Sequence, residues 1–403
     1  MVDRLLREQI DYLRERSPFY AARVDGPVRS VADLRHIRFL TKDELREGQR
    51  ANPPFGLHLC APSERLVRVH VTSGTTGDPV AIGLTHCDHQ ANSAIGGQAF
   101  RIAGVRSDDT IAHCLNYALY AGGIADHMAL EASGATVVPI GVGQSRRLLG
   151  LIPALRITGI FGTLSFPAYL ARRAEEAGVE PQSLGLRHIV TAGEPGAGLA
   201  AVRREIERAW AVGVRDTFGM SDVWSTMAGE CGEAEGMHLT CLDHAIVELV
   251  DPDSGEPLPF EEAAVGELVW THLRREASPL LRYRSGDIAQ VWTAPCPCGR
   301  LSPRIRIDGR RDDMLRVRAV NVYPQAIGAL LGSHAELGRW RVVANGDPID
   351  PPLVVEVEGP PATDIAALAA ELHGRLGARF EVVRLDPQTL PVAEHKTPVV
   401  ERR

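Results

Sequence analysis

Residues 69–86 read VHVTSGTTGDPVAIGLTH. Within them TSGTTG, Thr72 to Gly77, sets four hydroxyl residues and two glycines in a row of six. Glycine lets the backbone bend tightly and bring its N–H groups close to an anion, and Ser and Thr hydroxyls add further donors. Phosphate is the guest such a stretch suits. The Walker loop is a different object. It wants four residues between its glycines, then Lys and Ser or Thr at the start of a helix. Here Gly74 and Gly77 enclose two residues, no Lys follows, and PVAIGL (79–84) continues as a strand. The stretch is therefore a loop between two strands, and it holds more small polar residues than a hairpin turn requires.

The texture around this loop defines the fold class. Upstream, Leu5, Leu6, Ile10 and Leu13 recur at helical spacing, and a second helix is expected to start near Thr41-Lys42-Asp43, giving a helical region over residues 1–60. From about Val67 to Ala192 short β-rich runs (LVRVHV, TIAHCL, ATVVPI, GIFG, HIVTAG) alternate with helical stretches such as LLGLIPALR and PAYLARRAEEAG. Such alternation predicts an α/β domain with a largely parallel sheet. After Gly236 the pattern changes to AIVELVD, DSGEP, GELVWTHL and LRYRSGDIAQVW, antiparallel strands joined by turns, an expected β lobe over 236–308. Beyond Gly309, LRVRAV, RWRVVA, LVVEVEG, a helix over 365–376 and EVVRL are enough for a small α+β domain. The expected organisation is a large multi-sheet α/β domain, 1–309, followed by a small mobile α+β domain, 310–403.

Composition narrows the function classes. The 403 residues are 44% hydrophobic and 24% charged, with net charge −7 and both signs mixed along the chain, so a basic nucleic-acid footprint is missing. No stretch approaches the ~18 apolar residues of a membrane span, and MVDRLLREQIDYLRERSPFY lacks a signal-peptide core. A cytoplasmic protein, monomeric or homodimeric, is expected. Seven cysteines in a chain this long do not make a disulfide scaffold.

Four further stretches accompany the glycine loop in order: TAGEP (191–195), DTFGMSD (216–222), RYRSGD (282–287) and GRRDDMLRVRAVNVYP (309–324). Together with SPFY near the N-terminus and a late lysine in PVAEHKTPVVERR, they resemble the adenylate-forming enzymes, most closely their phenylacetate–CoA ligase branch. That family activates a carboxylic acid with ATP to an acyl-adenylate, then passes the acyl group to a thiol. The resemblance implies that Thr72, Ser73, Gly74, Thr75, Thr76 and Gly77 hold the β- and γ-phosphates. It places Gly193, Glu194 and Pro195 on the adenine side and Phe218, beside Gly219 and Met220, against the adenine face, where an aromatic ring suits a purine. Ser221 falls near the α-phosphate. Asp222 stands where the family usually has a Glu ligand of Mg²⁺; it is equally hard and anionic but one methylene shorter. Asp287 is implied to accept hydrogen bonds from the ribose diol, with Arg310 reaching the ribose or phosphates. Asp312 matches the hinge about which the small domain swings. Lys396 matches the lysine that steadies charge in the first half-reaction, although His395 replaces the Gly that usually precedes it.

Cys231, His238, Cys296 and Cys298 form C-x6-H and C-x-C patterns compatible with a closed structural Zn²⁺ site, with Cys241 and His244 as substitutes. Members of the branch with the same pattern imply zinc here. The resemblance assigns the acid pocket to Tyr117, Tyr120, Ala121, Gly122, Gly123, Phe161, Phe166 and Met220. Glycines beside aromatic rings leave room for a flat ring, which favours an aromatic acid. His113, Asn116 and His127 are candidates to meet a ring substituent. The branch implies coenzyme A as acceptor. Ala319 replaces a Gly that usually lines the pantetheine tunnel, so the phosphopantetheine arm of a carrier protein stands as the alternative.

Overall fold

A computed structural model describes residues 1–72, 78–194, 200–318, 320–334, 336–391 and 399–403. It forms two compact units. The first comprises Met1–Ile111, Leu115–Gly141 and Thr217–Arg306; the second comprises Ala112–Cys114, Val142–Asp216 and Ile307–Arg403. The sequence reading grouped 142–216 with the large domain and ended that domain at 309. In the structure the last stretch of the second unit begins at Ile307.

In the first unit the opening helix, Val2–Arg16, buries Leu5, Leu6, Ile10 and Leu13 on the stripe their spacing defines. Each buried aliphatic side chain contributes about 2 kcal/mol. The helix Lys42–Ala51 begins with a capping box, Thr41 and Glu44 each accepting the other's backbone N–H. The glycine loop's flanks, Arg68–Val71 and Ala81–Leu84, pair antiparallel with Val71 opposite Ala81. Next, His86–Ile102 packs on Ala121–Ser133 through small residues. A Cβ on Gly97 would lie 2.9 Å from the Ala132 backbone, and one on Gly229, in the strand Ala228–Glu230, 2.3 Å from the Ala99 carbonyl oxygen. This unit also holds the antiparallel lobe: Pro257–Leu258, Ala245–Val250, Val265–His272 and Tyr283–Trp292 in sheet order, then the start of Arg304–Arg310 beside Met237–Leu239 and Ala228–Glu230.

In the second unit Gly159–Gly162, His188–Thr191 and the start of Val214–Phe218 run parallel, with Gly162 opposite Thr191 and Thr191 opposite Asp216. Ser145–Ala154, Ser165–Glu176 and Ala200–Trp210 are helices. The C-terminal part has its own core around Leu315, Ile327, Leu353, Val355 and Leu368. Its four-stranded sheet runs Phe380–Leu385, Leu353–Glu358, Trp340–Ala344, Val400–Arg402, the central pair antiparallel and the outer pairs parallel. The helix Pro324–Gly332 and the strand Val400–Arg402 were not expected from the sequence. Among the described residues no helix is long and apolar enough to cross a membrane.

Candidate active site

The RYRSGD segment opens the strand Tyr283–Trp292, and its two arginines are structural. Arg282 donates to the Glu248 carboxylate at 2.9 and 3.2 Å and to the Ile37 carbonyl at 2.8 Å. Arg284 pairs with Glu267 and donates to the Pro252 carbonyl at 2.7 Å. Gly286, with φ +79°, adopts the left-handed backbone glycine favours, and its N–H donates to Glu267 at 3.2 Å. The result is a fixed backbone under Asp287, whose side chain is buried and whose N–H donates to Ser285 Oγ at 3.2 Å.

FGMSD begins at the end of the strand Val214–Phe218 and turns back at once. Met220 N–H donates to the Trp224 carbonyl at 2.9 Å, and Met227 N–H to the Phe218 carbonyl at 2.8 Å. The closeness of these two chain segments demands glycine at 219, because a Cβ there would sit 2.0 Å from the Ser225 carbonyl oxygen. Phe218 and Ser221 are half-buried, and Asp222 is buried. One Asp222 oxygen lies 3.4 Å from Lys42 Nζ, while the other, Oδ1, has no hydrogen-bond partner among the described residues. A buried carboxylate oxygen left in this state fits a hard cation. Sequence reasoning missed Lys42 as its neighbour: the capping box fixed where the helix starts, but nothing local links Lys42 to a residue 180 positions away.

In the second unit Gly193 has φ +77°, and Glu194 accepts from Ser165, from its N–H at 2.7 Å and from its hydroxyl at 2.6 Å. Thr191 Oγ1 donates to Asp216 Oδ1 at 3.2 Å, which ties TAGEP to the start of DTFGMSD. Arg310 ends its strand, and for Asp312 the structure gives backbone alone.

The residues assigned to an acid pocket are divided between the units. In the first, Tyr117 Oη lies 2.9 Å from His127 Nδ1, and His127 Nε2 lies 3.2 Å from Glu131. Tyr120 precedes the helix Ala121–Ser133 and is exposed. A Cβ on Gly123 would meet the Asn116 carbonyl oxygen at 2.5 Å, so this glycine serves a close backbone approach; Gly122 has ordinary room. In the second unit Phe161 is fully buried with its ring 5.4 Å from that of His113, and Phe166 is buried in the first turn of Ser165–Glu176.

Cys231, His238, Cys296 and Cys298 do come together, their ligand atoms all within 4.8 Å of one another. Cys231 and Cys296 sulfurs are 3.7 Å apart, and Cys298 Sγ is 3.4 Å from His238 Nε2. His238 Nδ1 lies 3.1 Å from the Ser302 carbonyl oxygen, which turns Nε2 toward the thiols. Burial pushes the Cys231 thiol up to about 11. Burial acts the same way on Cys298, but donors from Arg300 and the neighbouring thiols outweigh it and bring this thiol down to about 7. Cys241 and His244 are not in the cluster.

Within the glycine loop Thr72 is described. It is buried, its N–H donates to the Val80 carbonyl at 3.0 Å, and Val80 N–H donates back to its Oγ1 at 3.0 Å, closing the loop's neck. Ser73, Gly74, Thr75, Thr76, Gly77, Pro195, Ala319 and Lys396 lie outside the described residues.

The profile of the AMP-binding enzyme family matches residues 22–272. The phenylacetate–coenzyme A ligase of Thermus thermophilus is 37% identical over 335 residues, covering 81% of this chain and 73% of that protein. That of Aromatoleum evansii is 31% identical over 384 residues, covering 91% and 84%. A solved structure of 2-hydroxyisobutyryl-CoA ligase, in the postadenylation state with R3-HIB-AMP, aligns with a TM-score of 0.88 at 27% identity, covering all of this chain and 89% of that one. Fold and relatives define an AMP-forming acid–thiol ligase. The chain belongs to the AMP-binding enzyme family, within its phenylacetate–coenzyme A ligase-like branch.

The turn that carries Asp222 depends on Gly219. Gly219→Ala is expected to cost about 2–3 kcal/mol through a forced backbone shift and to alter the fluorescence of the buried Trp224. Thermal melting together with the emission spectrum checks this; a melting point within about 1 °C of the parent and an unchanged spectrum would contradict it.

Proposed function

We propose that this chain joins an aromatic carboxylic acid to coenzyme A in two steps. In the first, a carboxylate oxygen attacks the α-phosphorus of ATP and pyrophosphate departs, leaving an acyl-adenylate. In the second, the thiolate sulfur of coenzyme A attacks the acyl carbon and AMP departs. The observation that carries the reading is the 37% identity, across 81% of the chain, to a protein named phenylacetate–coenzyme A ligase. That name also favours coenzyme A over a carrier-protein arm.

The residues take the following parts. Hydroxyls and N–H groups of Thr72 to Gly77 hold the departing phosphates, because donors aimed at developing negative charge lower the barrier. Phe218 stacks on adenine and Asp287 accepts from the ribose hydroxyls. Asp287 suits that task because Arg282, Arg284 and Glu267 fix its backbone, so little freedom is lost when the nucleotide binds. Asp222 would hold Mg²⁺, which would supply neutralisation of phosphate charge. Lys396 steadies the carboxylate and α-phosphate charge. Residues 310–403 rotate about Asp312 between the two steps. Tyr117, Tyr120, Gly122, Phe161 and Phe166 are the side we assign to the acid, and Gly123 lets the chain pass close to Asn116 beside Tyr117.

We also propose a structural Zn²⁺ on Cys231, His238, Cys296 and Cys298. Tetrahedral zinc with Zn–S near 2.3 Å sets its sulfurs roughly 3.8 Å apart, and the Cys231–Cys296 separation of 3.7 Å accords with that. His238, its pKa lowered by burial, offers a neutral imidazole.

Three measurements test these readings. Pyrophosphate release with ATP and Mg²⁺ is expected with at least one benzoic, hydroxybenzoic, aminobenzoic or phenylacetic acid, with a thioester appearing when coenzyme A is added. Release with 2-hydroxy or medium-chain aliphatic acids alone would refute the aromatic assignment, and release without thioester would point to a carrier protein. Lys396→Ala is expected to lower adenylate formation at least ~100-fold while transfer from supplied acyl-adenylate is kept; equal loss in both steps contradicts its role. Metal analysis of the purified protein should find about one zinc per chain, lost in Cys298→Ser with a lower melting point. A zinc-free parent whose stability the substitution leaves unchanged excludes the site.

A further inference from the structure

The helix Ser165–Glu176 starts without a side-chain cap of its own. Leu164, at the capping position, is already in the right-handed helical region, with φ −59° and ψ −37°, and makes no capping hydrogen bond. The first N–H groups of a helix need acceptors and attract negative charge. Here the acceptor comes from another part of the chain. The Glu194 carboxylate takes the Ser165 N–H at 2.7 Å and the Ser165 hydroxyl at 2.6 Å, across 29 positions. One step earlier, Ala192 N–H donates to the Gly162 carbonyl at 3.0 Å, which joins the ends of the parallel strands Gly159–Gly162 and His188–Thr191. Between these two anchors Gly193 supplies the left-handed bend, φ +77°. The loop leaving His188–Thr191 is thus fastened at Ala192 and again at Glu194. It lies at the carboxyl ends of parallel strands, where ligands bind in open α/β sheets.

From this geometry we infer that Glu194 is a positioning residue: its carboxylate, clasped by Ser165, presets the loop that faces adenine and makes no contact with the nucleotide. The inference rests on the reading of residues 193–195 as the adenine-side loop. A carboxylate already accepting from an N–H and a hydroxyl has its charge directed at the helix, and charge-assisted bonds of this kind are about twice as strong as neutral ones. The clasp also fastens the nucleotide loop to the helix whose first turn carries Phe166, a residue of the proposed acid pocket.

The test is AMP binding by calorimetry, with ATP-dependent pyrophosphate exchange alongside, for the full chain and for Glu194→Ala, Glu194→Gln, Ser165→Ala and the Glu194→Ala/Ser165→Ala double variant. Glu194→Ala is expected to weaken AMP binding about tenfold, from the loss of a charge-assisted bond, and to raise the KM for ATP with a smaller change in kcat. Ser165→Ala should weaken AMP binding by a smaller factor. The double variant should be no weaker than Glu194→Ala, because both substitutions break one clasp. Glu194→Gln keeps an acceptor and should recover most of the affinity. If Glu194→Ala does not fold, Ser165→Ala and Glu194→Gln carry the same comparison. Additive losses, or a Ser165→Ala protein with parental affinity beside a weakened Glu194 variant, would mean that Glu194 touches the nucleotide itself and would overturn the inference. Parental affinity in every variant would overturn it too. A parent that binds neither AMP nor ATP would instead bring down the adenine-loop reading on which the inference stands.

Discussion

A buried ion pair, Asp88 with Arg275, organises the first unit. Asp88 accepts the N–H of Glu276 at 2.8 Å, of Ala277 at 2.9 Å and of Thr85 at 3.0 Å, with Arg275 Nε 3.8 Å away. Two segments therefore meet at one carboxylate: the start of the helix His86–Ile102, and the chain after the strand Val265–His272, which also carries the cation. Arg275 is fully buried, and burial lowers its pKa while Asp88 counters that effect. Removing one partner of such a pair costs about 3–5 kcal/mol because the other charge is left without compensation. From Arg275 the order spreads further. Its guanidinium lies 4.7 Å over the Trp224 ring and donates to the Val223 carbonyl at 3.2 Å, next to Asp222. Its own carbonyl accepts from Gln9 at 2.8 Å, which draws in the opening helix.

The candidate site inherits its rigidity from this arrangement. Asp222 stands on a turn whose neighbours Val223 and Trp224 are held by Arg275, and whose geometry excludes any side chain at 219. Asp287 stands on a strand start braced by Arg282 to Glu248 and by Arg284 to Glu267. In both cases the sequence neighbours of the acidic residue hold its backbone firmly. A backbone fixed in this way spares a site ordering costs when a ligand arrives.

Much of this was legible in the sequence, because the signals were local. Leu5, Leu6, Ile10 and Leu13 marked a buried stripe, and Thr41-Lys42-Asp43 marked a helix start. The loop before PVAIGL was legible as a connection between two strands, and LRYRSGDIAQVW as part of an antiparallel lobe. What stayed hidden was pairing across distance. Lys42 with Asp222, Glu194 with Ser165 and Asp88 with Arg275 join positions whose proximity only the fold creates. The helix Pro324–Gly332 was missed for a different reason. It begins directly after a strand with Pro at its first turn, so the apolar run QAIGALLG reads equally well as strand or helix by length. The strand Val400–Arg402 is too short to signal itself, and parallel pairing with Trp340–Ala344 gives it its structure.

The cysteine cluster follows the same logic at the weakest part of the lobe. Cys231 follows the strand Ala228–Glu230, His238 lies within Met237–Leu239, and Cys296 and Cys298 sit in the turn after Tyr283–Trp292. The first two strands are three residues each, too short to hold a register by backbone bonds alone. Three thiols and an imidazole within 4.8 Å of one another are a donor set that one cation could join. A cation at their centre would cross-link three chain segments. Such a cross-link would sit where the strands are short and would fasten them.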